Sequence, residues 1–269
     1  MKPLVLTLKH EPGQRLDLAP LVPHLLEGKS AKDIAEIELQ TTREKVTAGD
    51  IFKIRSGGGV ETIHFEGGSE RFDNVGQGLK SGEIFIEGDC GKCVGRGMSG
   101  GNLVVNGDSG PFAGSAMSGG RLEIGGDTGG FLAGPLEGEM EGATGGLLIV
   151  RGNAGERAGD RLRRGTILIE GSAGDFPGSR MIAGTLIVLK ECGKLPGYLM
   201  RRGTIVLANP PELAPTFVDC GTHQLAFASV FAGLLRPESR AAARLLSRPL
   251  VRFAGDMAAL GKGEIFFPA

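Results

Sequence analysis

The sequence predicts an all-β fold, a parallel β-helix of about seven coils with small α/β caps at its two ends. Three observations carry that prediction. Glycine occurs 47 times in 269 residues, far above its ordinary share and without the Gly-X-Y period of collagen. The pattern G-x-x-G-x-x-x-G recurs, as GDCGKCVGRGMSGG from Gly88, GDSGPFAGSAMSGG from Gly107, GNAGERAGDRLRRG from Gly152 and GSAGDFPGSRMIAG from Gly171, with 19 residues between most neighbours. A short apolar run precedes each recurrence. A fixed period outweighs local propensity, because it implies one supersecondary unit stacked on copies of itself.

The elements follow in chain order. Residues 1–62 form an N-terminal cap: a strand over Leu4–Leu8, a helical or turn segment in KSAKDIAEIEL, and a strand entered through a turn in VTAGDIFKI. Residues 63–207 form the glycine-rich β-helix. Nineteen residues are too few for a helix pair and too regular for a sandwich, but they suit short strands joined by tight corners, stacked at about 4.8 Å. Glycine serves such corners by adopting positive φ and by letting neighbouring backbones approach. Right-handed winding is the default for such a coil, although the residues do not fix the hand. One insertion, GPLEGEMEGATGG from Gly134 to Gly146, breaks the period. Residues 208–269 form a C-terminal cap, with helix in QLAFASVFAGLLRPESRAAARLLSRPL interrupted at Pro237 and a last strand in GEIFF.

Within each strand run, alternate positions are always apolar: Ile84 and Ile86, Leu103 and Val105, Leu122 and Ile124, Leu148 and Val150, Ile167 and Ile169, Leu186 and Val188. Period two turns these inward. The position between them should face outward, yet it reads Phe85, Val104, Glu123, Ile149, Leu168, Ile187 and Val206. Such a stripe requires a cover. Either the chain's own terminal segments supply it, or another subunit docks there.

Bulk properties exclude several classes. A net charge of -1 and a pI near 6.5 give no global footprint for nucleic acid or for an anionic membrane. The N-terminal MKPLVLTLKH has no signal-peptide character, and no apolar run reaches the roughly 18 residues of a membrane span. A cytoplasmic protein with its four cysteines reduced is expected.

Candidate chemistry is sparse. Cys90 and Cys93 make a C-x-x-C, but the slot of Cys90 is occupied by Ser109, Thr128, Ala154, Ala173 and Cys192 in other repeats, which marks it as a packing position. His10, His24, His64 and His223 are scattered, and no metal site is expected. His223 stands near Asp219 and Cys220 without the spacing or oxyanion donors of a nucleophilic site, so no catalytic residue is expected either. Arginines are more informative. Arg163 and Arg164 lie two periods before Arg201 and Arg202, and Arg161 lies one period before Arg180. Stacking gathers them at one corner, with no carboxylate expected between them. They suit either a solvated edge or contact with a polyanionic ligand or an acidic partner.

These residues carry a resemblance. The G-x-x-G-x-x-x-G coils, the M-x-x-G endings and the single insertion resemble the C subunit of formylmethanofuran dehydrogenase, whose fold is similar to the C-terminal β-helix domain of glutamate synthase large subunits. IELQTTREKVTAGDIFKI, FEGGSERFD, RMIAGTLIV, PGYLMRRGTIVL and PTFVDCGTHQL place it nearest the branch found in bacterial formyltransferase/hydrolase complexes. The resemblance runs from Leu4 to about Arg236 and leaves the tail unplaced. It implies a complex that moves a formyl group between a tetrahydromethanopterin-type carrier and a methanofuran-type amine, and hydrolyses the formyl amide to formate in formaldehyde oxidation. This chain would be a scaffold without catalytic residues or a directly bound cofactor. Its partners would be a metal-dependent hydrolase subunit, the companion of that hydrolase and a formyltransferase subunit. The arginine set Arg161, Arg163, Arg164, Arg180, Arg201 and Arg202 would then meet the glutamate-rich tail of a methanofuran-type carrier, or an acidic partner. A structural domain related to glutamate synthase and a stand-alone interaction protein remain alternatives. A hexapeptide-repeat transferase is disfavoured by the 19-residue period and by the absence of a histidine from the coils beyond His64.

Overall fold

The computed structural model describes residues 2–40 and 44–269. The Thr-Thr-Arg at 41–43, part of the N-terminal segment quoted above, lies outside the described residues. In chain order the N-terminal elements are β1 (Lys2–Leu8), β2 (Leu16–Asp17), α1 (Pro23–Leu26), α2 (Ala31–Ala35), β3 (Glu38–Leu39), β4 (Val46–Thr47), α3 (Ala48–Ile51) and β5 (Phe52–Arg55). The repeats contribute β6 (Gly58–Glu66), β7 (Phe72–Asp73), β8 (Glu83–Ile86), β9 (Ser99–Val105), β10 (Gly119–Ile124), β11 (Thr144–Val150), β12 (Arg164–Ile169), β13 (Thr185–Val188) and β14 (Arg202–Leu207). The chain finishes with β15 (Val218–His223), α4 (Ala226–Leu235), α5 (Arg240–Leu246), β16 (Leu250–Gly255) and β17 (Lys262–Pro268).

The fold is mostly β. Thirteen strands form one mixed sheet in the order β15-β16-β17-β14-β13-β12-β11-β10-β9-β8-β6-β1-β5, and the neighbours from β1 and β6 through to β14 and β17 are parallel. Register is kept through the apolar part of the strands, although it shifts nearer the strand starts in the pairs β1–β6, β9–β10 and β11–β12. Leu4, Ile63, Ile84, Leu103, Leu122, Leu148, Ile167, Leu186, Ile205 and Ile265 pair in one unbroken row, and all are buried. The terminal strands β1 and β17 are therefore rungs of the same ladder, which the repeat in the sequence did not reveal. Antiparallel β5 at one edge and β15–β16 at the other close the ladder with a change of direction.

A second ladder runs beside the first. Cys90, Ser109, Thr128, Ala154, Ala173 and Cys192 bridge in parallel from repeat to repeat, the slot alignment read from the sequence. One residue before each of the first four, a short polar side chain reaches to the next repeat. Asp89 accepts from the Asp108 N–H at 2.8 Å, Asp108 from the Asp127 N–H at 2.7 Å, Asp127 from the Asn153 N–H at 2.6 Å, and Asn153 from the Ser172 N–H at 2.9 Å. Between the two ladders lies an apolar core that includes Val94, Met98, Met117, Leu162, Met181 and Met200, all fully buried.

The methionines explain one set of glycines. At Gly120, where φ is +83°, an added Cβ would stand 2.7 Å from both Met98 Cε and the Gly100 carbonyl oxygen. Gly203, at φ +104°, meets Met181 Cε in the same way at 2.8 Å. Each large apolar residue thus packs where the next repeat has no side chain. The turns are less glycine-dependent than expected. Cys93, Phe112, Phe131, Arg157, Phe176 and Leu195 share one turn position and all have positive φ. Inter-repeat bonds such as Phe112 N–H to Gly130 O at 3.0 Å and Phe176 N–H to Lys194 O at 2.8 Å hold them there against the steric preference of L-residues.

The later part of the outward stripe has its cover within the chain, while Phe85 and Val104 stay half-buried outside it. Ile149, Leu168, Ile187 and Val206 are buried against Ala228, Ala232 and Leu235 of α4 and Ala242, Ala243, Leu245 and Leu246 of α5. The alternative of a second subunit on this part of the stripe is therefore corrected: two helices, separated at Pro237 as the composition suggested, occupy it. Glu123, the polar member of the stripe, joins Arg121, Arg151 and Glu238 in an ion network that fastens the α4–α5 turn to β10 and β11.

Gly120→Ala should lower stability by about 1–3 kcal/mol, since it adds left-handed strain to a clash with backbone. Urea denaturation checks this through the midpoint. A wild-type midpoint would contradict the methionine-over-glycine packing.

Candidate functional site

The predicted arginines come together only in part. Arg161, Arg180 and Arg201 line a groove of about 610 Å³ walled by Met140, Ile182, Leu199 and Leu260. Arg161 and Arg180 occupy equivalent turn positions one period apart, both with φ near +50° (51° and 52°), and Leu199 continues the row at 57°. Arg163 points instead to the insertion, where it pairs with Glu141. Arg164 and Arg202 are exposed at the starts of β12 and β14 and do not line the groove.

Carboxylates interleave with this set, which corrects the expectation of a bare guanidinium ladder. Asp160 is 1 % exposed and takes Arg180 on both oxygens, Nη2 at 2.7 Å and Nε at 3.0 Å, while the Ser179 hydroxyl also donates to it. This is the bidentate geometry that makes an arginine–carboxylate pair strong. Arg180 is thereby committed to the fold. The insertion supplies the other acids. Its Glu139 pairs with Arg96 at 2.7 Å, and that guanidinium holds the Glu139 carboxyl below the usual carboxylate range. Arg161 donates to the Glu139 carbonyl at 2.8 Å, so the insertion is pinned beside the groove and places Met140, 77 % exposed, on its rim. Arg201 has no carboxylate partner among the described residues, and it is the exposed one of the three groove arginines. A period-based reading could have found Asp160, because it occupies the slot of Ser179 one repeat earlier and precedes an arginine in both repeats.

The thiols are placed for packing. Cys90 and Cys93 are buried, and burial pushes both thiols up from their ordinary range. Burial likewise pushes Cys192 up to about 12. Thiols held so far above neutral pH supply little thiolate. Cys220 faces the Val218 carbonyl, and His223 Nε2 meets the Cys220 carbonyl at 2.8 Å rather than its sulfur. Among the described residues, no group of three or more histidine, cysteine or acidic side chains is arranged to hold a metal ion. No helix among them is long and apolar enough to cross a membrane.

Asp160→Ala should cost about 1–3 kcal/mol, because it strands the Ser179 hydroxyl and frees Arg180 from its anchor. Thermal denaturation measures the loss, and an unchanged Tm would show the pair to be incidental. Thiol labelling of the folded chain should modify Cys220 first, with Cys90 and Cys93 reacting only in denaturant. Fast labelling of Cys93 would contradict the packing role.

No protein-family model matches the chain. It is 50 % identical over 264 residues to the C subunit of the formyltransferase/hydrolase complex Fhc of Methylorubrum extorquens, an alignment covering 98 % of this chain and 99 % of that protein. It also superposes with a TM-score of 0.95 on a chain in the crystal structure of the M. extorquens formyltransferase/hydrolase complex (FhcABCD) in complex with methylofuran. That superposition covers 98 % of this chain and 99 % of the other, at 43 % identity. On these similarities the chain belongs to the family of formyltransferase/hydrolase complex C subunits.

Proposed function

We propose that this chain is the scaffold subunit of a formyltransferase/hydrolase complex in the cytoplasm, and that it carries out no reaction itself. In this reading residues 63–207 are a parallel β-helix, and residues 1–62 and 208–269 are its caps. The complex would transfer a formyl group between tetrahydromethanopterin-type and methanofuran-type carriers and release formate in formaldehyde oxidation. Its partners would be a metal-dependent hydrolase subunit, the companion of that hydrolase and a formyltransferase subunit.

The observation that carries the proposal is the near full-length likeness to a chain of FhcABCD, in both sequence and structure. The internal chemistry supports it. Asp160 and Glu141 are engaged by arginines, and the most buried thiols are held far from reactivity. The buried Ser179 hydroxyl donates to Asp160, whose carboxylate is already committed to Arg180. What the chain offers instead is a rigid repeat with a shaped edge.

The groove of Arg161, Arg180 and Arg201 is the proposed contact for the glutamate-rich tail of a methanofuran-type carrier or for an acidic partner segment. Arg201 is the group free to make it, with Arg202 exposed beside it in sequence and Arg164 exposed three residues after Arg161. Each charge-assisted hydrogen bond lost there should cost about 1.5–3 kcal/mol.

Two experiments test this reading. Co-expression with the companion subunits should give a heteromeric particle whose formyl transfer and hydrolysis require this chain; full coupled activity in its absence would contradict the scaffold role. Arg201→Glu with Arg202→Glu should lower coupled activity or assembly affinity roughly tenfold or more, about 1.4 kcal/mol. Unchanged activity and assembly would remove the groove from the account.

A further inference from the structure

The outer surface of the two-helix cover has a composition that folding alone does not explain. Helix α4 buries small residues, Ala228 and Ala232, together with Leu235. Its larger apolar residues Val230 and Leu234 are each 68 % exposed, and Phe227 is half exposed, with one ring edge against Phe266. Phe227, Val230 and Leu234 follow helical spacing, with Val230 and Leu234 turned away from the sheet and Phe227 at the margin of the same stripe against Phe266 of β17. An ordinary surface helix has the reverse arrangement, with large apolar residues inside and polar ones outside.

Beside this stripe lies a second arginine cluster, distinct from the groove of Arg161, Arg180 and Arg201. Arg236, which caps α4 two residues after Leu234, lines a groove of about 510 Å³ with Arg240, Arg244 and Arg248. Arg240 and Arg244 are one helical turn apart on α5, a like-charge spacing that works against the helix. The one acidic residue between Leu225 and Ala254 is Glu238, and it is turned inward to Arg121 at 2.9 Å. Arg252 is taken by Glu264. Four guanidinium groups therefore share the groove with no carboxylate partner among the described residues, in a chain whose net charge is -1.

Large apolar side chains flanked by arginine are the composition of a protein interface core and its charged border. Arginine forks match carboxylates in pairs. A phosphate backbone would meet the acidic balance of the rest of the chain and would leave the apolar stripe unused. We infer that the outer face of α4–α5 is a docking surface for another polypeptide of the assembly. That partner sets apolar side chains on Phe227, Val230 and Leu234 and directs carboxylates into the Arg236–Arg248 groove. The inference rests on the scaffold reading above and adds the surface and the chemistry of the partner.

The test compares full-length wild type with two double variants, Arg240→Glu/Arg244→Glu and Val230→Ser/Leu234→Ser, in binding to the purified companion subunits. Both variants are expected to keep the wild-type melting temperature and to bind at least about tenfold more weakly. Wild-type binding should weaken as salt rises from about 50 to about 500 mM, and Arg240→Lys/Arg244→Lys should retain part of the affinity. Wild-type binding by both double variants overturns the inference and leaves the scaffold reading intact. Loss of labelled-RNA binding in the charge variant, with assembly unchanged, also overturns it. If wild-type chain captures no companion subunit, both readings fail together. Should one double variant fail to fold, the other and the salt series still decide.

Discussion

Inter-repeat register is the constraint on which the rest of the structure depends. A parallel ladder in which every rung comes from a successive segment of one chain has no tolerance for slip, since one residue of shift would turn Leu122 and Ile124 out and Glu123 in. Several devices hold that register. The Asp89–Asp108–Asp127–Asn153 row accepts backbone N–H groups from each next repeat, so a side chain does at the turn what a strand does in the sheet. Methionines resting on glycines of the following repeat fix the spacing from inside. Backbone bonds hold non-glycine residues at positive φ where propensity alone would not place them.

Because the interior is settled by stacking, the outer surface is free to vary, and charge is organised there. One arginine set is partly neutralised within the chain: Arg180 by Asp160, Arg163 by Glu141, Arg96 by Glu139. The single insertion supplies two of those three carboxylates, so the break in the period is also what shapes the groove. The other set, Arg236, Arg240, Arg244 and Arg248 on and flanking α5, has no internal counterpart among the described residues. A scaffold reading accounts for this division, with some arginines building the edge and others left for contact.

Much of this was legible in the residues. The period, the inward row, the small-residue slot of Cys90 and the break at Pro237 follow from pattern, because stacking forces equivalent positions into equivalent environments. The misses have physical causes. Asp160 was overlooked as a partner of Arg180 because an ion pair between repeats leaves no local signature, although its slot relation to Ser179 was available. The roles of β1 and β17 as rungs were hidden because neither is followed by the G-x-x-G-x-x-x-G segment that marks the repeat, although GEIFF from Gly263 matches GEIFI from Gly82 and both strands bury their alternate apolar residues in the same core. The cover over Ile149, Leu168, Ile187 and Val206 could not be assigned, since an alanine-rich helix fits its own sheet or a neighbour's equally well until the chain's path is known.

In a scaffold of this kind the repeat body is complete on its own and its outer surfaces serve other chains. Amide hydrogen exchange on the isolated chain and on the assembled complex addresses this most directly. Strands β8–β14 should be strongly protected already in the isolated chain, with assembly adding protection at the outer face of α4–α5 and around Arg201. Rapid exchange throughout β8–β14 until the complex forms would contradict it, because the ladder would then depend on its partners rather than present them with a surface.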